Sequence, residues 1–280
     1  MHQIIDDHQS FPYTNSTTDT WDVLRFADED PNPAVDLDPA VSEQVWMVYR
    51  NNSYTTENGG NSNYNREHTW PQSYGFSGSG PLGDDNTART DAHHLMLSDI
   101  QYNSNRDANY FDYCNPSVNS DCIEMPTDDY NGQGGGSGTY PGNSNWYEDN
   151  NDGDDVFEVW DARKGDIARA MFYMDVRYDD LAADPSGIPS GEVDLILTDN
   201  ASLINTNQPY MGLLSVLLEW HELDPVDEIE LLRNDEVFAL QENRNPFVDH
   251  PEWVECIFVG GGTCGTKDND LIFASGFEQP

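Results

Sequence analysis

An excess of carboxylates constrains this chain more than any other feature. Its 280 residues carry 52 Asp and Glu against 12 Lys and Arg, a formal charge of −40, or one net negative charge for every seven residues. Repulsion of that density opposes compaction and taken alone predicts disorder. Against it stand 7 Trp, 14 Tyr and 11 Phe, far more apolar surface than a solvated acidic tail carries and enough to fill a sizeable core. A folded protein with a strongly acidic surface reconciles the two. At about 1 M salt the screening length falls to roughly 3 Å and the repulsion largely disappears. The charge therefore predicts adaptation to high salt, since solubility alone needs only about 2 to 8 net charges. The longest apolar run, Met211 to Leu218, is interrupted by Gly212 and Ser215 and is far too short for a membrane span.

The four cysteines form two pairs of equal spacing, Cys114 with Cys122 and Cys256 with Cys264, each set among turn-forming residues. Neither has the CxxC spacing of a zinc ribbon or redox motif, so two local disulfides are expected, with four free thiols as the alternative. Disulfides point to an oxidising compartment, secreted or periplasmic. The opening Met1-His2-Gln3-Ile4-Ile5-Asp6 lacks the charged and apolar regions of a signal peptide, which implies that any such leader has already been removed.

Residues 1–40 are polar and rich in Asp-Pro and Asn-Pro turns, which predicts an irregular lead-in where only Trp21 to Phe26 can pack. Gln44 to Tyr49 is a β-prone stretch followed by an Asn/Gly-rich turn, 51–63. Residues 127–155 are low complexity and predict a long surface loop inserted into a catalytic domain spanning 41–255, with 256–280 as a disulfide-clasped tail. Apolar residues at three- and four-residue spacing predict an amphipathic helix over 166–178, with Arg163, Lys164, Arg169 and Arg177 as its positive complement. Two more helices are expected, over 211–220 and from Asp224-Pro225 to Asn245-Pro246.

The densest collection of catalytic residue types lies between Asn65 and Arg106. Adjacent Glu67 and His68 point to opposite faces of a regular strand, so they can share a site only at a strand end or bulge; Pro71 suits such an end. Ser98 and Gln101 have capping-box spacing, so a helix is expected to begin near Asp99 and to carry Asn103 and Arg106 on one side. A strand bearing carboxylate and imidazole, a second strand through His93 to Leu97, and a helix presenting an amide oxygen would make a small hard-metal site. Mg²⁺ suits it, because that ion keeps several waters and takes only one or two protein ligands.

At these residues the sequence resembles the endonuclease I family of secreted and periplasmic bacterial nucleases. The matching elements are Arg66-Glu67-His68-Thr69-Trp70-Pro71, Asp91 to Leu95, Asn103 with Asn105-Arg106, Gly165 to Met174, and Asn243-Arg244-Asn245-Pro246-Phe247, in order across roughly residues 40–255. The resemblance implies an α+β chain with a ββα-metal (His-Me finger) core, decorated by further helices and acidic loops. It implies that His68 is the general base and that Glu67 and Asn103 ligate one Mg²⁺, with Mn²⁺ or Ca²⁺ as substitutes. The implied substrate is nucleic acid, DNA and potentially RNA, cut by a monomer with little sequence preference to give 5′-phosphate ends. The arginine that stabilises the scissile phosphate has no clear motif here; Arg89 is the first choice and Arg106 the second.

Several features keep a second reading. His93 is favoured over His94 as a hydrogen-bonding support for the site. His221-Glu222-Leu223-Asp224 does not complete HExxH, which argues against zinc. Residues 148–155 resemble part of a calcium loop without its distal Glu, and a flexible acidic loop is the default. Eight of the twelve basic residues, from Arg50 to Arg177, either form a positive groove for phosphate or pair with neighbouring carboxylates. The alternative to a nuclease is a non-enzymatic, extracellular calcium-binding or adhesive module.

Overall fold

The computed structural model describes residues 5, 8–32, 43–76, 87–130, 132–150, 154–179 and 193–260. The first element lies within the segment expected to be irregular. Helix α1, Thr20–Ala27, begins at Asp19, whose carboxylate accepts the Trp21 amide (2.8 Å), while Asp22 accepts the Asp19 amide (3.1 Å). That reciprocal capping holds a short helix whose Val23, Leu24 and Ala27 are buried. The lead-in is thus part of the domain.

Strand β1 (Gln44–Trp46) pairs antiparallel with β2 (Ser53–Thr55), which lies inside the predicted 51–63 turn. Strand β3 (Tyr64–His68) and β4 (Leu95–Asp99) form a second antiparallel pair, with Glu67 opposite Met96 and His68 opposite Leu95. Between them lies helix α2 (Thr87–Thr90). Strand β4 runs directly into helix α3 (Ile100–Arg106). Its cap is Asp99, which accepts the Gln101 and Tyr102 amides at 2.8 and 3.4 Å. The Ser98 hydroxyl, expected to cap, donates instead to the Asp99 carbonyl at 3.3 Å. Two antiparallel strands thus feed a helix that lies against them.

This unit is held from both sides. Leu95 and Leu97 face a small core shared with Val23, Leu24, Val45 and Val237, whereas Met96 belongs to the main core. The alternation is the ordinary two-residue period of a strand buried on both faces. The main core surrounds helix α4 (Lys164–Arg177), in which residues 164–174 are all buried. It is not the one-sided amphipathic helix that its spacing suggested, because its polar positions are closed off too. A side chain at Gly165 would run into the Asp224 carbonyl, so glycine is what lets the neighbouring chain approach there.

The 127–155 stretch is not only a surface loop. It supplies β7 (Asn145–Glu148) to a four-stranded sheet of order β5-β8-β7-β6, whose other strands are β5 (Tyr110–Phe111), β6 (Cys122–Met125) and β8 (Val156–Glu158). Trp146 is buried, and the Asn145 amide donates to the carbonyls of Tyr49 (2.8 Å) and Met125 (3.3 Å). A short apolar run with one well-placed amide was enough to build a strand within a polar sequence. The Cys114–Cys122 disulfide closes the loop before β6. Cys264 and the rest of 261–280 lie outside the described residues, so the second pairing is not described. The expected 255/256 boundary is crossed by a helical turn, Glu255–Val259, whose Phe258 packs on Phe172 at 4.7 Å.

Toward the C-terminus, β9 (Ile196–Leu197) pairs parallel with β10 (Tyr210–Met211). The helix expected from Met211 starts only at Leu214, because Met211 is in that strand; α5 is Leu214–Leu223. Helix α6 (Glu228–Gln241) starts later than Asp224-Pro225, after Asp227 caps it through the Glu230 amide (2.9 Å). It ends earlier than Asn245-Pro246, where Glu242 turns left-handed at φ 66°. Helix α7 (Pro246–Asp249) follows, capped by Asn245. Among the described residues no helix is long and apolar enough to cross a membrane.

Candidate active site

Glu67 and His68 do lie at a strand end, the condition under which adjacent residues can share a site. His68 is the last residue of β3, and its ring is met by the single turn of α2. Its Nε2 lies 2.9 Å from the Arg89 carbonyl oxygen. A carbonyl can only accept, so Nε2 carries the proton and Nδ1 keeps its lone pair. Among the described residues no group hydrogen-bonds Nδ1, and it is not sealed from solvent. Burial, and then the neighbouring His94, push the imidazole well below its usual pKa. The ring is therefore neutral with an open acceptor, the state a general base requires.

The turn that orients His68 is fixed by a buried carboxylate. Asp91 accepts hydrogen bonds from the hydroxyls of Tyr173 (2.8 Å) and Tyr178 (2.9 Å), the amide of His93 (3.0 Å) and the side chain of Gln241 (2.9 Å). These bonds tie the segment bearing the Arg89 carbonyl to α4 and to the end of α6. His93, expected to support the site, points elsewhere: its Nε2 meets the Asn243 carbonyl at 3.1 Å and its ring lies on Tyr173 at 4.5 Å. His94 is the imidazole beside the base, 5.6 Å from the His68 ring, with its Nε2 on the Ala88 carbonyl (2.7 Å). Both residues precede β4 in a turn, where strand alternation gives no guide to direction.

Glu67 is 3% exposed. Its Oε1 accepts the Tyr49 hydroxyl at 2.8 Å and lies 3.4 Å from Arg106 Nε, near enough for ion pairing but not aligned as a hydrogen bond. Burial raises its pKa to about 7, against the opposing effects of Arg106 and Tyr49. Among the described residues no hydrogen bond reaches Glu67 Oε2. Asn103 lies alongside on α3, where its Nδ2 donates to the carbonyl of Arg66 (3.4 Å) and its Oδ1 has no hydrogen-bond partner among the described residues. A carboxylate and an amide oxygen, both unclaimed, fit a hard divalent cation that fills its remaining positions with water. No cluster of three or more His, Cys, Asp or Glu able to hold a metal occurs among the described residues.

Arg106 is fully buried, with Nη2 donating to the Thr69 carbonyl (2.6 Å) and Nη1 to that of Asp107 (3.0 Å). It supports the chain around Glu67 and cannot reach a phosphate, which removes the second choice of arginine. Arg89 is only partly buried; its Nε donates to Gln72 (3.2 Å), and its guanidinium lies over Tyr13 at 4.0 Å. The positive groove expected from eight basic residues does not form as such. Arg50 pairs with Asp99 and Asp128, Arg163 with Asp166, Lys164 with Glu158 and Asp161, and Arg169 with Glu230. Arg177 is buried beside His8. Beside the base, Arg66 and Arg89 lie over the Tyr13 ring that stacks on His68.

Sequence reasoning missed Tyr13 and Tyr49 and ranked His94 below His93. Nothing in the order of residues marks the first two, since each acts across a long chain separation. Glu148, first residue of the calcium-like segment, is buried and committed to the Asn119 side chain and the Val156 amide; 151–153 lie outside the described residues. A cavity of about 310 Å³ lies among Trp46, Met96, Arg163, Glu230 and Arg233, and its lining excludes Glu67, His68 and Asn103. Cleavage of a polymer needs a reachable base more than an enclosed pocket, so the strand end is the better candidate.

Comparison with known proteins points the same way. Residues 1–252 match the family model described as Endonuclease I. Two proteins named extracellular ribonuclease align over 264 residues, covering 92% of this chain and 72% of theirs. The one from Bacillus subtilis (strain 168) is 36% identical and the one from Bacillus amyloliquefaciens 37%.

Proposed function

The chain belongs to the endonuclease I family and is a nucleic-acid hydrolase, and from that premise we propose that it is a secreted, Mg²⁺-dependent, sequence-nonspecific endonuclease with a ββα-metal core. The observation that carries the reading is the His68 ring, whose Nε2 is committed to the Arg89 carbonyl and whose Nδ1 is left to accept. In this reading Nδ1 takes a proton from water as that water attacks phosphorus. The sequence β3, β4, α3 supports the core assignment, since α3 folds back along β3 and sets Asn103 on the Arg66 carbonyl, next in the strand to Glu67 and His68.

Glu67 Oε2 and Asn103 Oδ1 would hold one Mg²⁺. Bound there, the ion would supply positive charge against the phosphorane and the leaving 3′ oxygen. Arg89 reaches the non-bridging phosphate oxygens, and Arg106 with Tyr49 keeps the Glu67 carboxylate in place. The tyrosine hydroxyl and the guanidinium act on Oε1, which leaves Oε2 for the ion it would hold.

A nucleophile drawn from water does not need a ribose 2′-hydroxyl, so DNA and RNA are both substrates and both give 5′-phosphate ends. The relatives' name, extracellular ribonuclease, favours RNA among the substrates and, together with the Cys114–Cys122 disulfide, favours secretion. Most described cations are committed to carboxylates, so the phosphate backbone meets a largely anionic surface; this favours function in high salt. A non-enzymatic calcium-binding or adhesive module does not fit a chain of this family. The test is incubation of supercoiled plasmid and of structured RNA with protein and Mg²⁺, with and without EDTA. Cleavage of both, abolished by EDTA, with 5′-phosphate ends is expected. Cleavage of RNA alone, with 2′,3′-cyclic phosphate ends, would overturn the reading.

A further inference from the structure

We propose that Tyr13 is a positioning residue of the cleavage site, carried in on an N-terminal strap and holding the His68 ring and the Arg89 guanidinium in register with each other. This rests on the reading of His68 as base and Arg89 as the phosphate-facing arginine. Three groups share the phenol ring: the Arg66 guanidinium at 3.5 Å, that of Arg89 at 4.0 Å, and the His68 imidazole, stacked at 5.6 Å with 22° between planes.

The strap is built to present that ring. Thr20 donates its amide to the Pro12 carbonyl (3.2 Å) and its hydroxyl to that of Tyr13 (3.0 Å), and Asp19 accepts the Asn15 amide (2.8 Å), closing residues 12–20 on the start of α1. Arg66 then clamps the loop onto β3. Its Nη1 donates to the Tyr13 carbonyl and to Thr20 Oγ1 (2.7 Å), and its Nη2 to Thr14 Oγ1 (3.1 Å). With those donors engaged, Arg66 acts as the fastener of the strap.

The geometry closes a circuit. The main chain of residue 89 sets the His68 tautomer, its side chain lies on Tyr13, and Tyr13 stacks on His68. Two guanidiniums this close to one another repel, and the negative face of an aromatic ring offsets that repulsion. An aliphatic side chain would fill the space without doing so. Arg89 would swing away, and the imidazole would lose the surface that limits its rotation.

The test compares Tyr13→Phe, Tyr13→Leu and Tyr13→Met in the full chain with Mg²⁺ and plasmid, each also combined with Arg89→Ala, with thermal unfolding as the check on folding. Phe retains the ring and should stay within about twofold of wild type in kcat. Leu and Met should each lower kcat about tenfold, since misplacement of a reacting group by a fraction of an ångström has effects of that order. In the Arg89→Ala background the further loss from Leu or Met should shrink to under about threefold, because residues that act through one another are not additive. Wild-type kcat in a folded Leu or Met variant, an equal loss in Phe, or a full tenfold loss on top of Arg89→Ala would each overturn the proposal. Should His68→Ala and Arg89→Ala both cleave normally, the catalytic reading itself fails; should they be inactive while Tyr13→Leu and Tyr13→Met are not, only the role of Tyr13 falls.

Discussion

Two arginines that look interchangeable in the sequence should fail in opposite ways. Arg106 is fully buried, makes two charge-assisted bonds to main-chain carbonyls and lies against the equally buried Glu67. Replacing it with Met leaves that carboxylate without its cation and two carbonyls without donors. Breaking one side of a buried ion pair costs about 3–5 kcal/mol, and in a chain of this size each kcal/mol lowers the melting temperature by about 2–4 °C. Arg106→Met should therefore melt at least about 6 °C below wild type. Arg106→Lys keeps the charge but loses the fork that spans Thr69 and Asp107, and should fall between the two. Arg89 is partly exposed, and its bond to Gln72 and its contact with the Tyr13 ring lie at the surface, where even an ion pair is worth little, so Arg89→Ala should cost no more than about 1 kcal/mol of stability. Its plasmid-cleavage rate should nonetheless drop about a hundredfold, the scale of losing one preorganised donor to developing charge. Circular-dichroism melts alongside cleavage assays at a temperature where every variant is folded measure both quantities. An Arg106→Met protein with the wild-type melting temperature, or an Arg89→Ala protein with wild-type cleavage, would refute the assignment of the two roles.

His68→Ala should fold normally and lose at least about a hundredfold in turnover, read as the single-turnover rate of plasmid nicking; a near-normal rate would remove His68 as the base. Cleavage should rise with NaCl from about 50 mM toward about 1 M, opposite to the usual decline with counterion competition, and a profile that only falls would contradict salt adaptation. His94 is fully buried and its pKa is lowered to about 4 by that burial, so the fold prefers the neutral ring. A depressed folded pKa gives a contribution present above about pH 6.5 and lost as pH falls toward 4. Relative to His94→Gln, wild type should therefore lose about 3 kcal/mol of unfolding free energy between those limits, and parallel pH profiles in urea titrations would show that the ring titrates normally.

Much of the site was legible in the chain order. Glu67 and His68 are adjacent, so a strand end was required of them, and β3 ends at His68. A cap followed by Asn103 and Arg106 one turn apart is a local pattern, and α3 forms one residue from where that pattern put it. Short-range periodicity and capping depend on neighbours in sequence, which is why these elements could be read and why Asp19 with Asp22 could have revealed α1. The burial of Arg106, the choice of His94 over His93, the Tyr49 bond to Glu67 and the placement of Tyr13 could not. Arg66 meets the Tyr13 carbonyl across 53 residues, and Gln241 meets Asp91 across 150. Contacts of that reach are set by how two cores close around a pair of strands, and a cation is committed to a carboxylate or open to a phosphate only once that packing has excluded water from one side of it. Residue types and local spacing determined which groups could do the chemistry; tertiary packing decided which of them are exposed, in which tautomer, and beside what.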